Sequence, residues 1–211
     1  MLGLGSFISR SDFIQSGSLL LDKSFAAGPA AAYSLRRVSS SYSGPAVQIR
    51  RASDNVEVNV NFDSDGVVSL NSTISNVTEE TTGSSSGSTS AKTLGQFVAN
   101  ASYTDADSLG STDSALVQNW YDQSGNSNDA IQSTAGSQPQ IVSNGSLVTQ
   151  NGKPACDLNG SSQFLDASAY DQATTTLIAV VNNDNTGLTD RCFGVRGAPS
   201  SSKATFALAS D

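Results

Sequence analysis

Residues 120–130 read WYDQSGNSNDA, an aromatic strand end that runs straight into a polar turn. The aromatic pair Trp120 and Tyr121 ends an apolar run, SALVQNWY, that reads as a strand. The carboxylate of Asp122 follows at once, and short polar side chains then crowd around Gly125. Asp and Asn side chains cap their own backbone, and glycine supplies the positive φ that tight turns need. The stretch therefore predicts a buried strand opening into a self-bonded turn, with a β-sandwich built around it.

Composition agrees with many short strands. The chain has 211 residues, enough for a sizeable core, yet only 37% are hydrophobic, so that core comes from a minority of positions. The net charge of -8, with only 11 Lys and Arg, argues against nucleic acid and against a basic patch on anionic membranes. The absence of histidine removes Ser-His-Asp catalysis and every His-ligated metal site. Cys156 and Cys192 are too few for a Cys-rich zinc site. They are expected as free thiols, with a single disulfide as the alternative. The start, MLGLGSFISRSDF, does not read as a secretory leader, and no run of 18 apolar residues spans a membrane. This combination suits a protein made in the cytoplasm and assembled onto a particle.

Residues 1–25 are expected to form an N-terminal arm, either anchoring the chain or packed on its own domain, with residues 26–211 as one domain. A helix is predicted over 28–38, with Gly28 as cap, Pro29 in the first turn, and Ala31, Leu35 and Val38 on one face. PAVQIRR and VEVNVNF alternate as strands, the second turning Val56, Val58, Val60 and Phe62 one way. Asp65-Gly66 marks a turn before GVVSL, residues 79–91 a loop, and 91–99 a second short helix capped by Ser90. Asn144-Gly145 and Asn151-Gly152 mark turns, and QFLDA, TTTLIAVVN (174–182) and ATFALA are further strands. The run 174–182, the most continuous apolar one, is expected in the middle of a sheet.

Three readings compete for the central loop. Asp122, Asn126 and Asp129, with Asn128 beside them, are oxygen donors of the kind Ca2+ takes, although their spacing is not that of an EF-hand, and no metal or other cofactor is expected. The same side chains suit an Asx-turn network that fixes the loop. They also suit hydrogen bonds to a sugar through Asp122, Asn126 and Asn128, with Trp120 or Tyr121 stacking on it. The plainer reading of Trp120 is a core aromatic. Arg50, Arg51 and Asp54 read as an ion pair at a strand end, and the N-x-S/T triplets at Asn71, Asn76, Asn100, Asn144 and Asn159 as chance.

The order YSLRRV (33–38), YSGPAVQIRRASDN (42–55), WYDQSGNSNDA, QPQIVSNG (138–145) and NGKPA (151–155) resembles the catalytic domain of arabinofuranosidase B (glycoside hydrolase family 54), a concanavalin/laminin-G-like domain. It is more similar still to relatives of that domain in tailed-phage virion proteins. The likeness covers about residues 30–165. It implies an all-β, laminin-G-like jelly-roll sandwich, here with two short helices and the N-terminal arm, and incomplete at the C-terminus unless the sandwich is small or a partner completes it. In those enzymes the nucleophile is a Glu after a Cys-Cys-Phe string. The counterpart here, Arg191-Cys192-Phe193, leads instead to Pro199, and no carboxylate lies between Asp190 and Asp211. The enzymes' acid/base Asp falls beyond the end of this sequence. Retaining glycosidases need both carboxylates, so no catalytic residue is expected. The implied role is a phage virion structural or appendage protein (tail fibre, baseplate or capsid surface), located in the virion. Its expected partners are other virion proteins, further copies of itself and a cell-surface glycan. The alternative is a glycosidase of arabinofuranosidase type acting on arabinose-containing polysaccharide.

Overall fold

A computed structural model describes residues 19–22, 28–78, 92–99, 112–167 and 178–182. Most of their regular structure is one antiparallel sheet. Its strands are β1 (Val47–Arg51), β2 (Glu57–Val60), β3 (Ile74–Thr78), β4 (Ala115–Trp120), β5 (Ala130–Ile131), β6 (Gln140–Ser143), β7 (Ser146–Leu147) and β10 (Asp166–Ala167). The main path runs β10-β5-β4-β1-β2-β3, with β6 beside β4 and β7 beside β6. A separate hairpin joins β8 (Thr149–Gln150) to β9 (Lys153–Pro154).

The register explains why this sheet forms. One transverse row holds Ile74, Val60, Val47, Trp120, Ala130 and Ala167. The adjacent row holds Ser75, Asn59, Gln48, Asn119, Ile131 and Asp166. Successive side chains of a strand point to opposite faces, so the first row lies on one face and the second on the other. A bulge leaves Gln118 unpaired between β1 and β4, after which Val117 joins Ile49 and Val58 on the apolar face. Val47, Ile49, Val58, Val60 and Val117 are fully buried there.

Helix α1 (Leu94–Ala99) covers that face with Leu94, Phe97 and Val98. Ser90, the expected cap, lies outside the described residues. Thr93 Oγ1 accepts the Gln96 N–H at 3.3 Å, while Gln96 Oε1 accepts the Lys92 N–H at 2.8 Å, in the manner of a capping box. Arg51 follows Val47 and Ile49 on the same face. Its guanidinium lies 4.4 Å from the Phe97 ring centroid and donates to the Phe97 carbonyl at 2.6 Å. Asp54 completes the site, 2.5 Å from Arg51, as the strand-end ion pair anticipates. Arg50 goes the other way, to Gln138 Oε1 and Asn55 Oδ1, each at 2.7 Å.

The helix expected over 28–38 does not form. The segment runs without helical turns, Arg36 bridges Val67, Arg37 N–H donates to the Gly66 carbonyl, and the Leu35 carbonyl accepts from Val68 N–H. Isolated helices this short are marginal, and here tertiary partners take the backbone groups that helical bonds need. GVVSL forms no strand beyond the Val67 bridge, although Val68 is buried in the core. The interior strand expected over 174–182 is also corrected. Residues 178–182 are not in a strand, with Ile178 88% and Val180 100% exposed, while 174–177 lie outside the described residues. The central positions of the sheet belong instead to β1 and β4, whose alternation gives each a buried face. β3 was not anticipated from its mixed sequence, ISNVT.

Both Asn-Gly turns form, with positive φ at Asn144, Gly145, Asn151 and Gly152. The Asp65-Gly66 turn forms too, its backbone capped by Asp63 Oδ1. QFLDA is reduced to β10. Of the N-terminal arm, residues 19–22 are described; Leu20–Asp22 form a 3-10 turn in which Leu21 N–H meets the Val38 carbonyl. The loop 79–91, ATFALA and Cys192 lie outside the described residues, and Cys156 is a free thiol.

Candidate functional site

Asp122 leaves β4 and is buried, 3% exposed. Its Oδ1 accepts the N–H groups of Ala32 and Ser124, each at 2.8 Å. Its Oδ2 accepts the Ser124 hydroxyl at 2.6 Å and the Asn128 N–H at 3.1 Å. Four donors therefore surround one carboxylate, which holds its own turn and ties it to a segment 90 positions away. Asn128 and Asn126 extend the tie. Asn128 Nδ2 donates to the Ala30 carbonyl at 2.7 Å, and Asn126 Nδ2 to the Pro29 carbonyl at 2.9 Å. Asp129 Oδ1 accepts the Asp122 N–H at 2.9 Å. Tyr33 donates its hydroxyl to the Asn128 carbonyl.

The residue next to Asp122 does as much. Gln123 is 1% exposed. Its Oε1 accepts from Val38 N–H at 2.8 Å, and its Nε2 donates to the carbonyls of Ser34 and Arg36 at 2.9 and 3.1 Å. Its own N–H donates to the Ala32 carbonyl. The loop 122–129 is thus a clamp on residues 29–38, and the clamp is what keeps that segment out of a helix. Sequence reading singled out Asp122, Asn126 and Asn128 but missed Gln123. A glutamine has no turn preference that would mark it.

Trp120 sits in the apolar row, half-buried against the core, with its ring centroid 6.4 Å from that of Tyr33. Its indole Nε1 is buried and has no hydrogen-bond partner among the described residues. Tyr121, one position on, faces the other way. Its hydroxyl donates to Asn59 Oδ1 at 2.8 Å. Burial, with the Asp129 charge adding to it, raises the Tyr121 phenol above its ordinary value. Tyr42 donates to the Pro45 carbonyl at 2.7 Å. Burial first, then the charges around it, Asp129 foremost, push its phenol up to about 12. Both phenols therefore act as neutral hydrogen-bonding groups.

Through Asn59, Tyr121 meets a polar row on the sheet's other face. The row Ser75, Asn59, Gln48 and Asn119 crosses four neighbouring strands, with Ile131 and Asp166 continuing it. Asn59 is buried, Gln48 and Asn119 are half-buried, and Ser75, Ile131 and Asp166 are exposed. Amide side chains carry two donors and two acceptor lone pairs each, without charge. Such a row suits a neutral ligand rich in hydroxyls. The signal was present in the sequence as the polar half of VEVNVNF and VQIRR, but the strand order that aligns the two could not be read from it.

Among the described residues no cluster of three or more His, Cys, Asp or Glu side chains is placed to hold a metal. No described helix is long and apolar enough to cross a membrane. No family model, curated protein or solved structure matches the chain.

Proposed function

We propose that this chain is a structural or appendage component of a tailed-phage particle, in the tail fibre, the baseplate or the capsid surface. Its β-rich domain serves adhesion or decoration as a concanavalin/laminin-G-like jelly-roll sandwich, in oligomeric form, among other virion proteins. The observation that carries the binding role is the uncharged polar row on one face of the sheet, in which Ser75 is exposed, Gln48 and Asn119 are half-buried, and Asn59 is buried and bonded to Tyr121. It matches the alternating donors and acceptors of glycan hydroxyls. The commitment of Asp122 to four internal donors supports a non-catalytic role. General acid-base work on a glycosidic bond needs a carboxyl group that faces the substrate. The virion assignment rests on the sequence resemblance described above.

Two measurements test the reading. A mass-spectrometric inventory of purified particles is expected to contain the chain, and its absence from them would overturn the virion role. A glycan array is expected to register binding with no turnover of an aryl arabinofuranoside. Hydrolysis that disappears in Asp122→Asn, while the fold is retained, would establish the glycosidase alternative.

A further inference from the structure

We propose that Asn151 is a site of spontaneous, backbone-mediated deamidation, set apart by the fold from the chain's two other Asn-Gly pairs. The three pairs are 144–145, 151–152 and 159–160. In each the glycine has positive φ, and Asn144 and Asn151 share a positive φ as well, so turn geometry leaves those two pairs nearly alike. Their surroundings differ. Gly145 N–H donates to the Asp113 carbonyl at 2.7 Å, and the turn tip rests on Thr112, 2.8 Å from where a Cβ would stand. Asn159 Oδ1 accepts the N–H groups of Ser161, Ser162 and Gln163, which fixes its side-chain amide in an Asx turn. Asn151 and Gly152 are both exposed, nothing lies within 4 Å of a Cβ built on Gly152, and neither makes a hydrogen bond with any described residue through the groups that react.

The reaction needs those groups. Gly152 N loses its proton to hydroxide and bonds to the Asn151 side-chain carbonyl carbon. The bond from that carbon to the side-chain nitrogen breaks, and the nitrogen leaves with a proton as ammonia. Water then opens the five-membered imide at either carbonyl, giving aspartate or isoaspartate. The product adds one negative charge. In the isoaspartate form it also adds a backbone carbon to a two-residue turn, whose length sets the β8–β9 register.

The test incubates the folded full chain in mildly alkaline buffer, digests it, and scores isoaspartate and amide loss peptide by peptide. A parallel sample in denaturant supplies the intrinsic rate of each pair. After division by those rates, Asn151 is expected to react about tenfold or more faster than Asn144. That factor corresponds to opening one hydrogen bond worth ~1.4 kcal/mol. Asn159 is expected to lag similarly. Equal normalised rates at Asn151 and Asn144, or an Asn151 protected in the folded chain and reactive in denaturant, would overturn the proposal.

Discussion

Replacing Asp122 by alanine removes the acceptor of four hydrogen bonds and strands three backbone N–H groups, those of Ala32, Ser124 and Asn128, in a partly buried site. Each unsatisfied group costs roughly 1–3 kcal/mol where water cannot replace the partner. The serine hydroxyl can turn to solvent, and the turn can relax, so the expected loss is about 3–5 kcal/mol rather than the full sum. That is a large share of a typical stability of about 5–15 kcal/mol. Asp122→Asn keeps Oδ1 for Ala32 and Ser124 but faces an amide NH2 against the Asn128 N–H, with an expected loss of about 1–2 kcal/mol. Urea unfolding followed by Trp120 fluorescence measures both. With a slope of about 2 kcal/mol per molar urea, the midpoints drop by roughly 2 M and 0.5–1 M. The asparagine variant keeps the test readable if the alanine variant fails to fold. A midpoint within about 0.2 M of the parent for both variants would refute the clamp, because it would mean that water serves these N–H groups as well as the carboxylate does.

Three further outcomes follow from other sites. Gly145→Ala meets both a left-handed φ of 77° and Thr112 at 2.8 Å, whereas Gly152→Ala meets a φ of 72° in open space. Thermal unfolding is expected to show a loss of about 1–2 kcal/mol for the second and 1–2 kcal/mol more for the first, and equal losses would contradict the docking of the 144–145 turn. Arg51→Met leaves Asp54 and the Phe97 carbonyl without the guanidinium. It is expected to cost about 2–4 kcal/mol, against about 1–2 for Arg51→Lys, in the same urea assay. Burial pushes the Cys156 thiol up to about 12 from 9.0. A thiol whose folded pKa is raised keeps its contribution intact below the unfolded value, and that contribution is lost as pH rises from about 9 towards 12, by up to ~1.4 kcal/mol per pH unit. The decline in urea midpoint between about pH 9 and 10 is expected to shrink by more than half in Cys156→Ala, the remainder coming from the raised phenols of Tyr42 and Tyr121. A decline that persists unchanged in that variant would assign it elsewhere.

The alternating strands were legible because their period matches their burial. Val56, Val58, Val60 and Phe62 point inwards as read, and the Asn-Gly turns close where expected because only a few residues tolerate φ above zero. The apparent helix at 28–38 misled for a definite reason. Ala31, Leu35 and Val38 have helical spacing, but the segment's backbone is held by Asp122 and Gln123, some 85 to 90 positions away. No local pattern reports a partner at that distance. The run 174–182 misled differently. Continuous apolar character indicates what a segment avoids, but not which strand it pairs with. At the candidate site the polar loop residues were visible and the direction of their side chains was not. Asn126 and Asn128 reach back to Pro29 and Ala30. The amide row appears only once β2, β1 and β4 are aligned side by side.

In the proposed function that amide row contacts the ligand and the loop supports it. Backbone amide NMR of the full chain, titrated with the oligosaccharide that binds most strongly on a glycan array, tests it directly. Shifts are expected at Ser75, Asn59, Gln48 and Asn119 in one transverse line, with binding weakened in Gln48→Ala and the fold unchanged. Shifts confined to residues 122–129, with the row silent, would contradict it.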